Sequence, residues 1–261
     1  MLMSRRPAVA GLFYPDDPRA LGRMLDHYLA EAHPEAPTPK AVIVPHAGYV
    51  YSGPIAASAY ACLGAARATI TRVLLLGPAH RVPFRGLAAS SAERFETPFG
   101  AVELDRVGIE CALALPQVRL LDEAHALEHS LEVQLPFLQR VLDHFSLLPF
   151  VVGEATADEV AELLELLWGG PETLIVVSSD LSHYHGYAVA QRLDALTSRA
   201  IESLQPQEIG YEQACGRNPI NGLLEVARRR GLHAQTLDLR NSGDTAGPRD
   251  QVVGYGAYLF H

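Results

Sequence analysis

LIVVSSDLSH, Leu174–His183, sets four apolar residues against two serines and an aspartate and reaches a histidine three residues later. A continuous Leu/Ile/Val run bounded by serine reads as a strand buried on both faces, as in a parallel sheet covered by helices. Two distant stretches repeat the pattern: AVIVPH, Ala41–His46, and VLLLGPAH, Val73–His80. In such a sheet the carboxyl ends of the strands lie along one edge, and ligands bind there. Three imidazoles delivered to that edge from separate places predict a metal or proton-transfer centre.

Outward from these strands, helix and strand signals alternate along the chain. Helices are expected at Pro18 to about Ala32, from Pro54, at 106–115, 130–143, 157–168 and 187–204, and from Pro219 to Arg230 with a stop at Gly231. Further strands are expected at 86–91, 147–152, 233–239 and 252–260, with an irregular or hairpin segment at 95–104. HPEAPTPK, 33–40, reads as a loop. No low-complexity linker or repeat divides the sequence. The expectation is α/β: a single domain over 1–261, with a mixed central sheet and helices on both faces.

Composition narrows the function classes. A formal net charge of -9 argues against a non-specific grip on nucleic acid or an anionic membrane. Three cysteines at irregular spacing form no disulfide framework, which fits a cytoplasmic protein. The first fifteen residues lack the apolar core of a signal peptide, and no apolar run reaches the ~20 residues of a membrane span. Nucleotide-binding glycine motifs and the G-x-S-x-G elbow are absent.

Several side chains carry chemistry at these strand ends. His46 and His80 each sit just past a strand, where neutral imidazoles could form half a metal site or simply bond loop carbonyls. Asp180 precedes His183 by three residues. On a helix start the carboxylate could orient the ring; otherwise Asp180 caps the helix and His183 faces solvent. His185 is expected to be exposed. Cys215, in the turn-rich ACGRNPI, has a polar setting suited to a ligand or nucleophile, whereas Cys62 and Cys111 read as packing residues. His125-Ala126-Leu127-Glu128-His129 also fits H-x-x-E-H, in which two histidines on one helix face would chelate zinc.

Five segments in order, PHAGYVYSGPIAASAYA, LLLGPAHRVPFRGLAASS, EHSLEVQLPFL, VVSSDLSHY and CGRNPI, closely resemble the Memo family (mediator of cell motility; in prokaryotes the B component of the AmmeMemoRadiSam system). The resemblance runs from RPAVAGLFYP to GYGAYLF. It implies a fold like that of LigB-type class III non-heme iron extradiol dioxygenases. By the family's motifs His46 and His80 take the places of the two histidine ligands and Cys215 that of the carboxylate. His183, with Asp180, takes the acid/base region, and His129 lines the cleft; His125 is outside the motif. Thiolate in place of carboxylate shifts preference toward copper, zinc or a differently tuned iron and departs from the ligand set of the ring-cleaving enzymes.

Two readings follow. One is a redox-active iron or copper site of dioxygenase-like fold acting on an unknown small substrate. The other is a non-catalytic module that recognises anionic or phosphorylated peptides in the same cleft, with Arg217 as the anion's partner if it faces the cleft and in a surface salt bridge if it does not. The resemblance also implies radical-SAM and AMMECR-type partner proteins. This chain has no cysteine cluster for an iron–sulfur centre of its own.

Overall fold

The computed structural model describes residues 3–33 and 36–261; of the 33–40 loop, residues 34 and 35 lie outside that description. In chain order the first strands are β1 (Ser4–Arg5), β2 (Ala41–Val44), β3 (Arg72–Pro78), β4 (Leu87–Ala89), β5 (Arg94–Thr97) and β6 (Gly100–Glu103). They are followed by β7 (Val118–Leu120), β8 (Ser146–Val152), β9 (Thr173–Ser178), β10 (His183–His185), β11 (Ala234–Asn241) and β12 (Val252–Phe260). The helices are α1 (Pro18–Glu31), α2 (Tyr49–Tyr60), α3 (Arg106–Ala112) and α4 (Asp122–Ala126). The second half adds α5 (Leu135–Val141), α6 (Ala157–Leu166), α7 (Tyr187–Glu202) and α8 (Arg217–Arg230).

The main sheet runs β10-β12-β2-β9-β3-β8-β4-β7, with β11 also paired to β12; β1, β5 and β6 form a small second sheet. Strands β2, β9, β3 and β8 are parallel, while β12 opposes β2 and β4 opposes β8. The mixed sheet expected from the sequence is therefore present. Every residue of β2 and β9 is buried, which explains their unbroken apolar runs. Helices flank the sheet in three groups: α1, α2 and α5 pack together, α6 packs on α8, and α7 lies against β11 and β12.

Register brings the site together. Val44 pairs with Ser178, and Leu76 with Val177, so the three strands end nearly level. His46 and Asp180 lie two residues past β2 and β9, and His80 two residues past β3. Three central strands thus place these side chains on one edge.

Some elements depart from expectation. Helix α2 begins at Tyr49, after Gly48, and carries Pro54 inside it. Pro54 lacks the N–H that would reach Val50, so it loosens the helix rather than starting it. The 86–91 strand shortens to Leu87–Ala89. The helix expected over 130–143 is a single 3₁₀ turn at Glu132–Gln134 followed by α5. The N–H groups of His129 and Ser130 bond the Glu128 carboxylate instead, which keeps that stretch irregular. Helix α8 stops at Gly231, whose φ of 67° closes it as expected.

Candidate metal centre

His46 is held by its buried surroundings. Its backbone N–H donates to Asp180 Oδ1 at 2.7 Å, and its ring Nδ1 lies 2.8 Å from Ser178 Oγ. The Ser178 hydroxyl spends its one proton on the Ser130 carbonyl, at 2.6 Å, and also accepts from Gln134 Nε2 at 2.8 Å. The amide orientation of Gln134 is fixed because its Nε2 donates to the Pro45 carbonyl, which can only accept. Ser178 has therefore no proton to offer His46. Nδ1 must be the donor, and Nε2 is left with its lone pair.

The same logic fixes His80. Its Nδ1 donates to Glu128 Oε1 at 2.9 Å, and its backbone N–H to Glu128 Oε2 at 2.6 Å. Burial alone would raise the Glu128 carboxyl, but the hydrogen bonds and charge of His80 and the Ser130 N–H hold it down at about 2. Glu128 is an ionised clamp, and Nε2 of His80 is the free atom. Carboxylates that take one imidazole N–H and leave the other nitrogen for a metal are a common arrangement.

Cys215 reaches these rings from the turn before α8. Its Sγ is 3.4 Å from His46 Nε2 and 3.9 Å from Ser179 Oγ. Gly216 makes that approach possible. A Cβ there would lie 2.6 Å from Ser179 Cβ and 2.8 Å from the Ser178 carbonyl oxygen. Gly77 plays a matching part beneath His80, where a Cβ would meet Ser130 Oγ at 2.8 Å. Burial, then the nearby Asp180 charge, pushes the Cys215 thiol up to about 12. The protonated thiol faces the lone pair of His46 Nε2, so a cation at this point would replace a proton.

One donor atom from each of His46, His80 and Cys215 lies within 4.8 Å of the other two, a spacing that a single ion could bridge. The donor set fits a transition metal: two neutral imidazoles and a sulfur. His46 is kept neutral by burial and then by the neighbouring His80 and His129 rings. His80, Glu128 and His129 meet the same spacing, but there the Glu128 oxygens already accept four N–H groups. That second group is a hydrogen-bonded cluster.

Beside the two imidazoles opens a cleft of about 610 Å³, lined among others by His46, His80, His129, Asp180 and His183. His129 stacks on His80 with centroids 4.7 Å apart, and its buried Nδ1 has no hydrogen-bond partner. No helix starts at Asp180. Its segment runs on into β10, so the carboxylate neither caps a helix nor shares a helical face with His183. It is 5% exposed and bonded to His46. His183 Nδ1 donates to the Leu181 carbonyl at 2.8 Å, which leaves Nε2 as the acceptor. The ring is thus oriented by backbone.

Other expectations are corrected. Arg217 is outside the cleft: it stacks 3.4 Å over the Tyr211 ring, approaches Glu154 at 3.6 Å, and lines a separate cavity with Arg85 and Asn218. The H-x-x-E-H reading fails because α4 ends at Ala126. The His125 ring is buried and donates from Nε2 to the Ala88 carbonyl, so it shares no helix face with His129. Cys62 is buried as expected, but Cys111 is exposed. His185 and Cys215 are both half-buried rather than exposed. Reading the sequence missed Ser178 and Gln134, which fix the His46 tautomer. It also missed Phe13, 4.9 Å from the His129 ring. Their signal is three-dimensional: nothing in the spacing links residue 13 or 134 to residue 46.

Fold and site define an α/β protein with a candidate cation site of nitrogen and sulfur donors at the carboxyl edge of its parallel strands. Residues 5–259 match the Memo-like protein family, and the chain belongs to it. A MEMO1 family protein of Aquifex aeolicus is 37% identical over 267 residues, 98% of each chain. One from Archaeoglobus fulgidus is 37% identical over 272 residues, 98% of this chain and 99% of its own. One from Saccharolobus solfataricus is 33% identical over 285 residues, 99% of each.

Proposed function

We propose that the cleft is a mononuclear, redox-active metal centre held by His46 Nε2, His80 Nε2 and Cys215 Sγ, acting on a small substrate. The observation that carries this reading is that both imidazoles have their other nitrogen committed as a donor, so both free lone pairs belong to the site where the sulfur arrives. Iron or copper suits a mixed imidazole and thiolate set, with zinc as a non-redox occupant. Bound there, such an ion supplies Lewis acidity and, for iron or copper, electron transfer.

The protein's own side chains do the rest. His183 Nε2, unprotonated in the neutral ring, accepts a proton from a substrate in the cleft. Asp180 holds the His46 backbone. Its carboxyl, raised by burial and lowered in part by the His46 N–H, places a titratable group beside the donors. Phe13 and Tyr255 line the cleft with aromatic surface. The alternative, a module for anionic or phosphorylated peptides, would have to hold its anion without Arg217.

The test is metal analysis of protein purified without added ions, beside His46→Ala and Cys215→Ser. The reading expects near-stoichiometric metal in the wild type and strong depletion in both variants. Stoichiometric metal in both variants would remove the assignment.

A further inference from the structure

Beyond the turn that carries Cys215, a second cavity of about 390 Å³ is lined by the first turns of α8 and α6. None of the residues that line it lines the metal cleft. Its charged groups are two arginines, Arg85 and Arg217, and two glutamates, Glu154 and Glu159. Each arginine faces one glutamate, yet neither pair closes. Arg217 Nη2 stops 3.6 Å from Glu154, and Arg85 Nη2 stops 3.9 Å from Glu159. Neither guanidinium makes a hydrogen bond among the described residues, and the buried Nε of Arg217 has no partner. Tyr211 fixes this arrangement: its ring lies 3.4 Å from the Arg217 guanidinium, and its hydroxyl lies 3.1 Å from both Glu154 oxygens. Cation and carboxylate are thus held side by side rather than joined.

Acceptors are left over as well. Asn218 Nδ2 donates to the Gly153 carbonyl at 2.9 Å, and Asn221 Nδ2 to the Ile209 carbonyl at 3.2 Å. A carbonyl oxygen only accepts, so both amide orientations are fixed and neither Oδ1 is used in those bonds. Asn221 Oδ1 is buried with no partner. Unmet donors and unmet acceptors in one lining burden the fold, and such groups call for a role outside it.

Charge decides what fits. A simple anion would meet Glu154 and Glu159, and a simple cation would meet the two arginines. A molecule with both charges finds a partner for each. The volume lies toward the small end for ligand sites and suits a single amino acid.

We propose that this cavity binds a small zwitterion of the α-amino acid type, its carboxylate on Arg85 and Arg217 and its ammonium on Glu154 and the Asn218 amide oxygen. The site stands apart from the metal-centre reading and does not depend on it.

NMR titration of the isotope-labelled full chain with L-alanine, propionate and ethylamine tests it. The last two are alanine without its ammonium and without its carboxylate. Alanine should saturate at millimolar concentration and bind about tenfold more tightly than either fragment, shifting the Arg217 Nε–H signal. Arg85 is 83% exposed, so Arg85→Gln keeps the fold; it should weaken alanine and propionate about tenfold. Glu154→Gln retains an acceptor for the Tyr211 hydroxyl and should weaken alanine while sparing propionate. Stripping metal with a chelator should change none of these results.

No saturable alanine binding at tens of millimolar overturns the proposal. Propionate binding as tightly as alanine does so too, because the cavity would then be a plain anion site. Wild-type affinity for alanine in Arg85→Gln or in Glu154→Gln has the same force. Alanine binding that disappears on chelation would put the amino acid on the metal, sinking this site while sparing the metal centre.

Discussion

At the scale of single residues, the site is governed by where protons are committed. Ser178 can donate only once, and that donation goes to the Ser130 carbonyl, so His46 must carry its proton on Nδ1. Glu128 imposes the same tautomer on His80. If the carboxylate is what orients and enriches that ring, Glu128→Gln should weaken metal binding roughly ten- to a hundredfold. Competition with a chromophoric chelator measures this; affinity unchanged in the variant would mean that His80 is not held through Glu128. Both histidines stand out in the sequence because each closes an apolar run. Glu128 was visible in the EHS segment and in a protease-like pattern, but neither paired it with His80. His125 and His129 share the pattern, but the helix ends between them.

At the scale of elements, strand ends and turns do the positioning. Strands β2, β9 and β3 were legible because burial on both faces leaves an unbroken apolar run. The stretch after Glu128 was not. Its residues pattern like a helix, but a side-chain carboxylate competes for the backbone N–H groups and wins. Nor was the path after β9 legible, since SSDL suits a helix cap as well as the extended segment found.

Gly216 is the element-scale test. Its φ of -91° suits any residue, so space alone is at issue. Gly216→Ala would press a methyl group onto Ser179 and the Ser178 carbonyl. The expected result is a loss of about 1–3 kcal/mol in urea unfolding of the metal-free protein. Metal affinity should fall as well, because Cys215 is displaced from β9. A variant as stable and as metal-competent as wild type would show that this close approach does not seat the sulfur.

At the scale of the whole molecule, buried polar groups tie the N-terminal segment to the body and make stability depend on pH. Glu132 accepts the Arg5 guanidinium, the Ala8 and Val9 N–H groups and the Tyr14 hydroxyl, anchoring the segment that carries Phe13 to the cleft. Beneath it lies His125, 2% exposed, whose ring is lowered by burial from 6.5 to about 4. The folded state thus binds this proton less readily than the unfolded chain. The stabilisation is present in full above about pH 6.5 and is lost as pH falls through about 4. The linked loss is about 3 kcal/mol across that window. Wild type should therefore lose that much more stability than His125→Gln between neutral pH and pH 4, read by urea melts. Parallel losses in the two proteins would mean that His125 titrates freely in the fold.

The central claim is that two imidazoles and one sulfur converge on a single ion, and X-ray absorption of the metal-loaded protein tests it most directly. The spectrum should show nitrogen scatterers at about 2.0–2.1 Å, for an ion of zinc's size, with a sulfur at about 2.3 Å. The sulfur shell should vanish in Cys215→Ser while the nitrogen shell persists. A wild-type spectrum with no sulfur, or one unchanged in Cys215→Ser, would contradict the account.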